Sequence, residues 1–154
     1  MSSAAERLAA LGLTLPPVTA PVAAYVPAVR TGSYVYVSGQ LPVVDGKLPA
    51  TGKVGDAVSA QDAEGLARTC ALNALAAAAE AAGGLDAIVR IVKVLGFVAS
   101  APGFNGQPQV VNGASELLIE VFGEAGRHAR SAVGVAELPL DAPVEVELIA
   151  EVRA

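Results

Sequence analysis

The sequence predicts an α+β fold: one sheet with two helices packed on one of its faces. Three observations lead there. Runs with period-two hydrophobic alternation stand near both ends of the chain, two long stretches between them carry helical signals, and the order is strand, strand, helix, strand, helix, strand, strand. A single helical layer on a single sheet accommodates that order economically. At 154 residues the chain fits one domain, 1–154, with enough length to bury about two-thirds of its unfolded surface.

Each element has its own local reason. Ser3 followed by Glu6 is a capping box, Leu8 and Leu11 give the short helix behind it an apolar face, and Gly12 offers a left-handed stop. Pro16, Pro17 and Pro21 then form an extended connector, so residues 1–20 read as a helical extension to the domain. Strands are expected over 23–30, kept at an edge by Pro27, and over 34–38, with Thr31-Gly32-Ser33 between them. Residues 39–59 hold glycines, prolines and an Asp45-Gly46 turn and read as an irregular loop. Ser59 with Asp62 forms a second capping box, opening an alanine-rich helix over 61–82 that Gly83-Gly84 ends; its small side chains permit close approach to a sheet. The valine- and isoleucine-rich stretch 88–100 is a buried strand in which Gly96 marks a bulge. Pro108 suits the first turn of a helix along which Val110, Ala114, Leu117, Leu118 and Val121 keep helical spacing. The runs 130–136 and 144–152 alternate and are expected as antiparallel strands.

Composition narrows the function classes. Hydrophobic residues make up 53% of the chain against 16% charged, with a mean hydropathy of +0.53, which favours burial against copies of itself. The apolar content is not a membrane span, since Arg90 and Lys93 interrupt the valine-rich stretch and Glu80 the alanine-rich one. The N-terminus lacks the basic and apolar regions of a signal peptide, so cytoplasm is the expected location. One cysteine and one histidine cannot build a structural zinc site, and no metal is expected. A net charge of −5 with ten scattered basic residues gives no stripe for phosphates, so a nucleic-acid partner is not expected.

Alternation in the final strand sends Val144, Val146, Leu148, Ala150 and Val152 toward the helices and Glu145, Glu147, Ile149 and Glu151 to the other face. The same rule applied to the preceding strand turns Ser131, Val133 and Val135 toward the helices. Arg130, Ala132, Gly134 and Ala136 are then expected to share the open face with Glu145. Small residues beside the arginine leave space there, Ser38 can reach the same face, and another subunit is the natural cover.

The segments "YVYVSGQLP" and "ARSAVGVAELPLDAPVEVELIAEV" resemble the two diagnostic segments of the RidA (YjgF/YER057c/UK114) family, with Tyr25 in "AAYVPAV" and Asn112 in "VVNGASELLIEVFGEAG" in the family's order. The resemblance covers nearly all of the chain after about Pro21. It implies a chorismate-mutase-like fold and a homotrimer whose sheets form a central barrel, with ligand clefts between subunits. It implies that the family's carboxylate-binding arginine falls on Arg130 and its water-handling glutamate on Glu145, with Tyr25, Ser38 and Asn112 in the cleft and backbone groups around Gly39 and Ala132 completing it. Position 132 is alanine where many members carry cysteine, and the short members lack the N-terminal helix.

The activity so implied is hydrolytic deamination of reactive 2-imino acids to 2-oxo acids and ammonia, without cofactor. A planar carboxylate suits a guanidinium, and Glu145 would handle the attacking water. Two alternatives stand beside it: a non-catalytic trimer that binds a small carboxylate, and an endoribonuclease. His128 reads as a surface residue in a charged turn, Cys70 as a buried inert thiol and Asn73 as the donor of a structural hydrogen bond.

Overall fold

The computed structural model describes every residue except Thr19 and Val22, which fall in and just after the expected connector. Helix α1 (Ala4–Ala10) begins with the expected capping box: Ser3 Oγ accepts from the Glu6 amide at 3.2 Å, and Glu6 returns a carboxylate oxygen to the Ser3 amide at 2.8 Å. Asp86 accepts from the Ala5 amide at 2.9 Å, placing a negative charge at the positive end of the helix. Leu8 is its buried residue, and the helix packs against α3 (Gln107–Phe122).

The first strand is shorter than alternation predicts. Residues 23–25 bend, and β1 (Ala28–Thr31) starts only after Pro27, which has no N–H for a ladder. Strand β2 (Tyr34–Gln40) pairs antiparallel with it, and its ladder to β5 (Val144–Val152) is irregular between Val37 and Gln40, so Ser38 and Gly39 are bulged. Helix α2 (Ala60–Ala82) is capped by Ser59, whose hydroxyl accepts from the Asp62 amide at 3.0 Å, and ends on left-handed Gly83. Its buried alanines, among them Ala63, Ala67, Ala71, Ala74 and Ala78, bring its backbone close to β2 and β5. Asn73 donates both amide hydrogens to loop carbonyls, to Leu41 and to Val43 at 3.0 Å each, as expected of a structural amide.

Strand β3 (Ile88–Ala99) carries register shifts between Ile88 and Arg90 and between Ile91 and Lys93. The expected bulge at Gly96 is absent. Gly96 is instead a contact point, because a β-carbon there would overlap Val111 of α3 (Gln107–Phe122). Gly113 has the same role between helices: a β-carbon would overlap the Glu64 carbonyl, so glycine lets α3 cross α2 at close range. Asn112-Gly113 is thus a packing feature within a helix rather than a turn.

Strands β4 (Ala129–Val135) and β5 (Val144–Val152) run in opposite directions, as expected, but are not neighbours. The sheet order is β1-β2-β5-β3-β4, with β4 parallel to β3 at the edge and β5 antiparallel to both β2 and β3. Helices α2 and α3 cover one face and α1 joins them there. Between helices and sheet lie Val35, Val37, Ile91, Val94, Val98 and the alternate residues of β5, packed against Leu75, Val110, Leu117, Leu118 and Val121. Among the described residues no helix covers the opposite face, which exposes Val29, Tyr34, Tyr36 and Val133.

The facing of β5 follows its alternation; that of β4 is the reverse of the expectation. Arg130 pairs with Val94, a core residue, while Val133 pairs with Phe97, which sits opposite Glu145 on the open face. Arg130, Ala132 and Gly134 therefore face α3, and Arg130 and Glu145 lie on opposite faces of the sheet. The cause is steric. A β-carbon at Gly134 would press on Ser100 and on the Gln107 side chain at the start of α3, so beyond Arg130 the helix side of β4 takes the small Ala132 and Gly134 while Val133 and Val135 turn outward.

Candidate functional site

The polar residues of interest form two groups at different places in the sheet. The first joins α3 to β4. Arg130 Nη1 donates to Asn112 Oδ1 at 2.8 Å and to Ser115 Oγ at 3.3 Å, and Nη2 donates to the Pro108 carbonyl at 3.3 Å. Pro108 lies in the first turn of the helix, and Asn112 and Ser115 follow at helical spacing, so one side of α3 aligns all three acceptors. Among the described residues the ion pairs are Lys53–Glu137, Arg68–Glu120 and Arg127–Glu124; none includes Arg130. A partly buried guanidinium is thus held by neutral acceptors alone. Three of its five N–H donors are engaged in this way, leaving two, Nε–H among them, without a partner among the described residues.

His128 belongs to this group and is not the surface residue that its sequence context predicts. Its Nε2 lies 2.9 Å from Ser115 Oγ and its Nδ1 2.6 Å from the Gly126 carbonyl. Burial lowers its pKa below the ordinary histidine value; the Gly126 bond opposes this shift and the Arg130 charge adds to it. Ser115, Ile119, Arg127, His128 and Arg130 line an open cavity of about 210 Å³. Sequence reasoning gave Ser115 no role and placed His128 at the surface. The available signal was positional: Ser115 stands three residues after Asn112 on a helix, and His128 two residues before Arg130.

The second group lies where β2 bulges beside β5. Glu145 is half-buried and sits over Gly39, where a β-carbon would collide with the carboxylate. Burial first, and then the Glu147 carboxylate two residues along the same face, raise the pKa of Glu145 above the ordinary glutamate value. Ser38 Oγ donates to the Val26 carbonyl at 2.6 Å, and the Ser38 amide to that of Pro27 at 2.9 Å. Tyr25, next in the chain to Val26, is exposed. The fold therefore assembles Arg130, Asn112 and Ala132 in one place and Glu145, Gly39, Ser38 and the Val26 segment in another. It does not bring the two groups together within one chain.

Elsewhere the chemistry is sparse. Cys70 is fully buried, its thiol 3.7 Å from the Val144 carbonyl and pushed well above its ordinary pKa by burial. A hollow of about 440 Å³ between residues 15–18 and the end of α2 is larger than the cavity at Arg130, but Glu80 is its one ionisable lining residue. No group of three or more His, Cys, Asp or Glu able to hold a metal occurs among the described residues, and no helix there is long and apolar enough to cross a membrane.

A mixed five-stranded sheet with helices on one face, and a half-buried guanidinium on its edge strand, define a class of small α+β proteins. The chain belongs to the YjgF/chorismate mutase-like endoribonuclease family, which residues 5–152 match. It is 45% identical over 150 residues to Protein TCP17 of Trypanosoma cruzi, covering 97% of this chain and 94% of that one. It is 37% identical over 131 residues to the 2-iminobutanoate/2-iminopropanoate deaminase of Salmonella typhimurium, covering 85% and 89%. Among solved structures, Atu1372 of Agrobacterium tumefaciens, a protein of unknown function, superposes with a TM-score of 0.90 at 47% identity, over 99% of this chain and 94% of that one. E. coli TdcF with bound serine superposes with a TM-score of 0.64 at 31% identity, over 88% and 92%.

Proposed function

We propose that the protein hydrolyses 2-imino acids to 2-oxo acids and ammonia in clefts between the subunits of a homotrimer. The observation that carries this reading is the Arg130 guanidinium, partly buried and braced by three neutral acceptors, with no carboxylate of its own. A planar carboxylate is the ligand for two free N–H donors on a fixed guanidinium. The identity to an imine deaminase and the serine held by TdcF, itself an amino acid carboxylate, support the same chemistry.

Glu145 supplies the complementary chemistry. A half-buried carboxylate with a raised pKa over Gly39 takes a proton from water attacking the imine carbon and passes it to the nitrogen, giving a carbinolamine. A second transfer through the same carboxylate, from the new hydroxyl to the amine, lets the C–N bond break and releases oxo acid and ammonia. Because Arg130 and Glu145 lie on opposite sheet faces, the cleft draws Arg130, Asn112 and Ala132 from one subunit and Glu145, Ser38, Gly39 and Tyr25 from a neighbour. The open face bearing Tyr34, Tyr36 and Val133 is the apolar surface such an assembly would close.

An RNA-cleaving reading, favoured by the family description, is weaker on chemical grounds: the net charge is −5 and the single histidine leaves no acid-base pair. To test the deaminase reading, 2-iminobutanoate or 2-iminopropanoate is generated enzymatically and 2-oxo acid release is followed. Wild type is expected to accelerate release and Arg130→Ala to lose most of that acceleration; equal rates refute the reading.

A further inference from the structure

We propose that Ser115 and His128 are positioning residues that hold the Arg130 guanidinium in place for an incoming carboxylate. The inference deepens the deaminase reading and rests on it. Hydrogen-bond polarity carries it. The Gly126 carbonyl, 2.6 Å from His128 Nδ1, can only accept, so the proton of a neutral ring sits on Nδ1. Nε2 is then an acceptor, and the Ser115 hydroxyl at 2.9 Å must donate to it. With its hydrogen committed there, Ser115 Oγ turns a lone pair to Arg130 Nη1 at 3.3 Å. An unconstrained serine rotates freely; the histidine fixes this one as an acceptor.

The surroundings keep the ring neutral. His128 is half-buried and faces the charge of Arg130; Arg127 lines the same cavity, and Arg90 donates to the Arg127 carbonyl at 3.1 Å. The acidic groups of adjoining elements are engaged elsewhere or exposed: Glu124 binds Arg127, Glu120 binds Arg68, and Glu116 faces solvent. Asn112 and the Pro108 carbonyl complete the brace, so the relay and α3 together fix which two donors remain on offer.

Two measurements test the proposal. In protein labelled with ¹⁵N-histidine, the NMR spectrum above neutral pH is expected to show the Nδ1–H tautomer of His128; an Nε2–H tautomer overturns the relay. Calorimetric titration with 2-oxobutanoate is expected to give a Kd about tenfold weaker for Ser115→Ala and for His128→Phe, the size of one charge-assisted hydrogen bond. The double variant should be no weaker than either, because both act through one chain of bonds. Additive losses, or an unchanged Kd in either single variant, overturn the positioning role. Arg130→Ala separates the two readings. If wild type binds and Arg130→Ala does not, the carboxylate site stands whatever the relay variants do; if they bind alike, that site fails and the positioning role with it.

Discussion

The two polar groups are built on opposite principles. At α3 and β4, order comes from hydrogen bonds: Arg130 is held by Asn112, Ser115 and the Pro108 carbonyl, and Ser115 by His128. At β2 and β5, it comes from shape, with Glu145 laid over the one residue that has no side chain, Gly39. One group presents a cation with unused donors; the other presents a carboxylate whose protonated form burial favours. Complementary groups on opposite sheet faces are what the proposed site shared between subunits requires, and in that reading each chain supplies one half to each of two clefts.

The largest expected effects come from removing either half. Glu145→Gln should lower kcat by about two to four orders of magnitude, with a smaller effect on KM, as loss of a general base does. Arg130→Ala should raise KM and lower kcat together. Mixing these two inactive variants after dissociation and reassembly should restore activity, since about a quarter of randomly assembled clefts then combine an intact Arg130 with an intact Glu145. Absence of restored activity would place both groups in the same subunit's cleft and undo the comparison.

Gly39→Ala probes the shape-built half. Its β-carbon meets the Glu145 carboxylate, so a fall in kcat of about tenfold or more is expected while 2-oxobutanoate still binds Arg130. Gly113→Ala probes the scaffold under the other half. Alanine improves helix propensity by about 1 kcal/mol, but overpacking against the Glu64 carbonyl costs about 1–3 kcal/mol, so urea denaturation should show a net loss of stability.

The smallest effect is a pH dependence. The folded pKa of His128 is depressed, so below about pH 6.5 the unfolded chain takes up the proton more readily than the folded one. The contribution is present above the unfolded pKa and is lost as pH falls from there through the folded value. Glu145, with a raised folded pKa, acts in the opposite sense at lower pH, so the two must be separated. The difference in unfolding free energy between wild type and His128→Gln, followed from pH 7.5 to 5, isolates the histidine. It should fall on acidification, and a flat difference would mean the ring is not held neutral.

How much of this was legible depended on how sharply each segment alternates. In β5, valine and glutamate exchange places along most of the strand, and the burial pattern follows the letters. In β4 both residue sets are small or apolar, apart from Arg130, so alternation gave two faces without saying which was inner; contacts from Ser100 and Gln107 at Gly134 decided that. The pairing of β4 had a usable signal, because β3, α3 and β4 form a strand-helix-strand unit, and a helical crossover returns the next strand parallel. The candidate residues Arg130, Asn112, Gly39 and Glu145 were legible by family resemblance. Ser115 and His128 were not, since each becomes distinctive only when α3 lies across β4.

Asn73 has a consequence for the ageing of the molecule. Both of its amide hydrogens reach across to the backbone that leaves β2, fastening residues 41–43 to the middle of α2. Deamidation there would replace two donors by carboxylate lone pairs facing two carbonyl oxygens while the mass rises by about a single dalton. Such a change would loosen the strap just downstream of Gly39, close to the seat of Glu145, while the backbone of α2, which protects Asn73 from that reaction, keeps its own hydrogen bonds.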